Sequence, residues 1–314
     1  MSTVEQLQGA VSTANGRGGN TSIVLADGVY TLTGTLYVNA PNIVIRSGSG
    51  RRERVTVQGD AMSANARVGN LIRVAASGFQ LRGVTLQRSG YHLIQVAGET
   101  NADAPVIRDC VLRDAYQQML KVTRDPANPS VVSDGGLVEN CVFEYTAGIG
   151  PQYYIGGIDA HGARNWTVRN NTFRNIASPS TAVAEFAIHF HHTNNGAPYA
   201  DVAIALTESP GSAVYNNTVL LENGFPWTVE YRFGATSGVQ IVNNLVNRPI
   251  VARDGASGTV TSNVTSATRA TFRLQSAGDL HLSGATSGIV DAGVAVSGLT
   301  GLSEILCARR VSRA

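Results

Sequence analysis

An acid and a histidine stand two residues apart in GGIDAHGAR, as Asp159 and His161. The same chain offers AIHFHH, with His189, His191 and His192, TVEYR, with Glu230 and Arg232, and MLKVT, with Lys121. Four of its six histidines thus fall in two short segments. Asp, Glu, Lys and Arg make up only 15% of the residues, against about a quarter in an average globular protein. Solvation alone does not concentrate imidazoles in this way. Imidazole titrates near neutrality and so takes or gives a proton, and a neighbouring carboxylate orients the ring or raises its basicity. An ammonium or guanidinium steadies negative charge that builds in a transition state. Together these groups suit proton abstraction beside a stabilised anion.

Such groups act only if a scaffold brings them together, and the segments that carry them share a pattern. LIQVA, MLKVT, GIDAH, AIHFH, TVEYR and PIVAR alternate apolar and other residues. With Ile94, Leu120, Ile158, Ile188, Val229 and Ile250 inward, period two sends the intervening residues outward. Stacked in order, they give one outward column of Gln95, Lys121, Asp159, His189, Glu230 and Val251. A second column holds Ala97, Thr123, His161, His191, Arg232 and Arg253. Strands stack about 4.8 Å apart, so Lys121, Asp159, His161, His189, Glu230 and Arg232 are expected in one catalytic patch. Asp159 and Glu230 would stand two coils apart. Tyr153, Tyr154, Arg124, His191 and Arg253 are the expected substrate contacts. The insertions AGIGPQYY and HTNNGAPYADVAIALTESP would wall a groove.

Stacking is expected because a second phrase recurs: LRGVTL, IRDCVL, VENCVF, VRNNTF, VYNNTV, IVNNLV and VTSNVT. Its fourth position is Val84, Cys110, Cys141, Asn171, Asn217, Asn244 and Asn263, at intervals of 19 to 46 residues. Units of that length, β-branched and free of long helical patterns, match the coils of a parallel β-solenoid, where no coil buries its apolar face alone. Asn and Cys at one position form an interior ladder, with a Cys110–Cys141 disulfide as the alternative. TVEQLQGAV, with Val4, Leu7 and Val11 at helical spacing behind Ser2 or Thr3, reads as a capping helix. The expected layout is a cap over 1–19, one all-β domain over 20–295 and a tail over 296–314.

The cap, the Asn ladder and the coil phrases resemble the right-handed parallel β-helix proteins of the pectate-lyase-like superfamily, over roughly residues 20 to 295. That superfamily holds lyases, uronate epimerases, glycoside hydrolases, esterases and non-catalytic spikes. Asp159-Ala160-His161 is similar to the Asp-Pro-His motif of the mannuronan C5-epimerases. By that resemblance Asp159 matches the motif acid and His161 its histidine. Ala160 replaces the motif proline, and Gly156 stands where the motif tyrosine belongs, so Tyr154 would have to be brought in by its loop.

These expectations converge on an enzyme for a uronate-containing polysaccharide, working by β-elimination after loss of the C5 proton. Lys121, Arg232 or a bound cation would neutralise the carboxylate, and His161 or His189 would move the proton. The rivals are a C5-epimerase, an inverting hydrolase using Asp159 and Glu230, and a non-catalytic glycan-binding or structural solenoid. No specific cofactor is expected beyond such a cation. A divalent metal on His161, His189 and His191 is the alternative. The expected partner is an anionic polysaccharide or oligosaccharide. A net charge of +2 is too small to argue for nucleic acid. No run of about 18 apolar residues suggests a membrane span. MSTVEQLQGAVSTAN lacks a charged segment followed by an apolar one, so a secreted or periplasmic monomer with its leader removed is expected.

Overall fold

In the computed structural model one recurring phrase forms the third face of a right-handed parallel β-helix, and the other turns the corner between the first two. The structure describes residues 1–179, 186–191, 202–221, 226–274, 279–284 and 288–296. Among these residues the first sheet has nine strands, from Thr21–Leu25 to Gly258–Thr261, and the second has eight, from Gly28–Thr31 to Leu245–Val246. A third, of nine strands, runs from Leu36–Val38 to Ile250–Arg253. Outside the interval between Asn171 and Asn217 each coil crosses the three sheets in turn, and every neighbour within them is parallel and in register, as in Ile107 with Leu81 and Val138. Rows such as Ile45, Leu81, Ile107, Val138, Val168, Val214 and Ile241 fill one continuous core.

The ladder sits at the corner between the first and second sheets, and its sequence is dictated by that bend. The residue before each rung is left-handed: Gly83, Asp109, Asn140, Asn170, Asn216, Asn243 and Ser262 have φ between 52° and 66°. Gly, Asn and Asp tolerate this conformation, which explains the RG, RD, EN and NN dipeptides. The rung itself then points inward. The Asn171 backbone N–H donates to Asn217 Oδ1 (3.3 Å), that of Asn217 to Asn244 Oδ1 (3.0 Å) and that of Asn244 to Asn263 Oδ1 (2.9 Å). Asn171 Oδ1 accepts from the Cys141 N–H at 2.8 Å, joining the two rung chemistries. Cys110 and Cys141 are free buried thiols, so the disulfide alternative is set aside.

The helix Val4–Gly16 forms as expected behind Thr3, whose hydroxyl accepts from the Gln6 N–H. It buries Leu7, Val11 and Ala14 over the first coil, and Asn15 bonds the exposed edge at Tyr37 O and Asn39 N. That edge would otherwise present unpaired backbone groups to another chain. At the far end, the antiparallel pair Phe272–Leu274 and Asp279–Leu282 belongs to a small cluster in which Phe272 and Ile289 pack with Leu245. The tail beyond residue 296 lies outside the described residues.

One strand was not expected. Val202–Thr207, inside what reads as a loop, pairs with both Ile188–His191 and Trp227–Arg232 in the third sheet. It places Ala205 between His189 and Glu230, and Thr207 between His191 and Arg232. The single patch expected from sequence is therefore split.

Candidate active site

Asp159 is the register partner of Lys121 on one side and of His189 on the other. Lys121 is in turn the partner of Gln95. These are the outward positions of the third sheet, yet Lys121 is only 6% exposed and Asp159 only 2%. Lys121 Nζ donates to Asp159 Oδ2 and lies 2.6 Å from His161 Nε2 and 3.4 Å from Tyr154 Oη. An ammonium has three N–H donors, and here each has one partner. With Lys121 charged, His161 Nε2 is an acceptor and the ring carries its proton on Nδ1. Asp159 Oδ2 is 3.1 Å from the same Nε2 and becomes its acceptor once the ring gains a second proton. His161 reaches solvent, with 31% of its side chain exposed.

Two further groups complete this cluster. His189 Nδ1 is 3.7 Å from Asp159 Oδ1, and the ring meets Phe186 edge-on at 5.1 Å. Phe186 also explains Gly156: a Cβ there would come within 2.7 Å of the Phe186 ring, so the position of the epimerase-motif tyrosine cannot hold a side chain in this packing. A tyrosine reaches the cluster from the preceding loop. Tyr154 reaches Lys121, while Tyr153, 53% exposed, presents its ring 6.3 Å from that of Tyr154. Arg124 lies one residue beyond Thr123 with its Nε and Nη1 buried and without hydrogen-bond partners among the described residues, beside Gly162, where a Cβ would crowd it.

Sequence reasoning missed His92 and Gln118. His92 is buried, with Nδ1 2.9 Å from Gln118 O, and burial pushes its pKa down to about 4, keeping it neutral. The Gln118 side chain is fully buried on the strand that carries Lys121. His92 directly precedes LIQVA, one residue outside the alternating segment, which is why the pattern did not include it.

Glu230 and Arg232 belong to a different group. Glu230, 4% exposed, accepts from Arg253 Nη1 at 2.7 Å and pairs with Arg232 Nη1 at 3.5 Å, while Arg232 also holds Asp254. Three strand steps now separate Asp159 from Glu230 rather than two, or about 14 Å. Inverting hydrolysis wants about 6.5–9.5 Å between its carboxyl groups, so this pair does not fit that chemistry. Arg232 is likewise too far along the sheet to neutralise charge beside Asp159.

A metal shared by Asp159 and His161 would need the place that Lys121 Nζ takes between Oδ2 and Nε2. Among the described residues no three His, Cys, Asp or Glu side chains are grouped to hold a metal. The His191 side chain and all of His192 lie outside the described residues.

No protein-family model matches the sequence, and no curated protein matches it significantly. Solved structures match the fold at low identity. The alginate lyase of Paenibacillus sp. str. FPU-7 is 16% identical over 84% of this chain and 93% of its own, with a TM-score of 0.46. The pectin methylesterase PemA of Erwinia chrysanthemi is 11% identical over 83% and 85%, at 0.47. Pectate lyase Pel9A is 14% identical over 89% and 84%, at 0.45. The likeness is one of architecture, a parallel β-helix.

Proposed function

We propose that the chain is a carbohydrate-active enzyme that cleaves an acidic, uronate-containing polysaccharide by β-elimination. The observation that carries this reading is the convergence of Asp159, His161 and Tyr154 on one buried ammonium, Lys121, on the outward side of the third sheet. The C5 proton of a uronate is acidified by the adjacent carboxylate, and its removal builds charge on that carboxylate. When the carboxylate draws a Lys121 N–H, it releases His161 Nε2. The imidazole takes the C5 proton and its new N–H is received by Asp159 Oδ2. Electrons from the C–H bond form the C4–C5 double bond, the C4–O bond breaks, and Tyr154 or His189 protonates the departing oxygen. Tyr153 and Arg124 are the substrate contacts in this reading, and Lys121, not Arg232, is the neutraliser.

The position of Tyr154 favours one second reading. It brings a phenol to the Asp159-Ala160-His161 stretch, so the same proton abstraction could end in return of a proton to the opposite face, which is C5 epimerisation. Incubation with alginate, pectate and glycosaminoglycans separates the two. A lyase generates the ultraviolet absorbance of an unsaturated uronate, whereas an epimerase changes the proton NMR signature of the polymer without shortening it. Neither change across the panel would refute both.

A further inference from the structure

A row of arginines on a different face of the solenoid has no part in the chemistry above. Arg46, Arg82 and Arg108 are consecutive register partners on the outward side of the first sheet, followed by Glu139 and Arg169. Side chains one strand apart are about 4.8 Å apart at their bases, and like charges directly opposite are destabilising. Glu139 relieves one end of the row by ion pairing, with Arg108 Nε at 2.7 Å and Arg169 Nη2 at 2.6 Å. At the other end, Arg46 donates to Ser47 O and Arg82 to Gln80 Oε1, and neither meets a carboxylate among the described residues. The whole chain carries a net charge of only +2. A row of four arginines against one glutamate is therefore a concentration of charge that the fold does not need and that works against its stacking.

The corner beside the row adds a second observation. The short 3-10 helix Arg52–Arg54 bridges several coils, with Arg52 Nη1 donating to Asn140 O at 2.7 Å. It opens a polar cavity of about 540 Å³ lined by Arg51, Arg52, Glu53, Asp109, Asn140 and Asn170. Row and cavity run along the axis of the solenoid, the direction in which cations repeat once per coil.

We infer that the first-sheet face is a binding site for a linear anionic polysaccharide, laid along the axis with its carboxylates against Arg46, Arg82 and Arg108. The site is separate from the Lys121 cluster and does not depend on that cluster being catalytic. A polysaccharide fits better than a nucleic acid because the positions beside Arg46, Arg82 and Arg108, namely Val44, Gln80 and Val106, offer no aromatic faces on which bases could stack, and Tyr215, which follows Arg169 in the row, is only 5% exposed.

The test is affinity electrophoresis and titration of the full chain with polygalacturonate and alginate, using the double variant Arg46→Gln/Arg82→Gln. These residues carry no buried ion pair, so the variant should melt at or above the wild-type temperature, which controls for folding. Affinity should fall about tenfold or more at low salt, with a shallower salt dependence, because released counterions drive such binding. Unchanged affinity in the variant would overturn the inference, as would equal affinity of the wild type for duplex DNA. Loss of binding with cleavage retained would separate this site from the catalytic one. Binding retained through the arginine row in a protein without turnover would leave this inference standing while the catalytic reading fell.

Discussion

Lys121 and Asp159 are register partners on adjacent strands, and their side chains close into an ion pair in which neither is more than 8% exposed. Removing one member strands the other charge in a desolvated place, whereas removing both does not. Lys121→Met and Asp159→Asn should each destabilise the fold by about 3–5 kcal/mol. The double variant should lose clearly less than the sum. Urea denaturation of the four proteins gives the coupling, and strictly additive losses would show that the pair is not formed.

Asn217 is a central rung of the ladder. Its Nδ2 donates to Val168 O, Tyr215 O and Asn244 Oδ1, and its Oδ1 accepts from the Asn171 N–H. Asn217→Ala removes these bonds and leaves the buried Asn171 N–H without its acceptor, at about 1–3 kcal/mol for a polar group that water cannot reach. The same substitution at exposed Asn39 should cost far less. Comparing their melting temperatures tests the ladder.

His92 gives a pH dependence with a defined sign. Burial lowers its pKa from 6.5 to about 4, so between those values the unfolded chain binds a proton that the folded one refuses. Its contribution to stability is complete above about pH 6.5 and is lost as the pH falls toward 4. His92→Phe should flatten the stability profile in that window by up to one proton's slope. Denaturant titrations at intervals of pH would reveal it, and parallel profiles for wild type and variant would contradict it.

Arg232 separates the two clusters. Paired with Glu230 and Asp254 three strands from Asp159, it should be dispensable for chemistry. Arg232→Gln should leave kcat within a few-fold of wild type. A loss as large as that of Lys121→Met would return Arg232 to the reacting centre.

Much of this organisation was legible in the sequence. The interior ladder and the inward rows showed because a left-handed corner admits few residue types and a buried strand face admits few others, so both leave a period. The Asp159, His161 and Lys121 neighbourhood followed from that register. Val202–Thr207 was missed because its outward positions, Ala203, Ala205 and Thr207, carry no polar alternation against inward Val202, Ile204 and Leu206. The 46-residue interval from Asn171 to Asn217 hides two third-sheet strands where other intervals hold one. Tyr154, His92 and Phe186 could not be placed because they reach the cluster through loops and strand starts, where side-chain direction has no fixed period.

The central claim is that the Lys121, Asp159 and His161 cluster removes the C5 proton of a uronate. Its most direct measurement is the rate of unsaturated-uronate formation on the responsive polymer by wild type, Lys121→Met and His161→Ala, with circular dichroism confirming that each is folded. The account predicts steady formation by the wild type and a loss of about 10² or more in both folded variants. Wild-type turnover that persists undiminished in folded His161→Ala and Lys121→Met would contradict it.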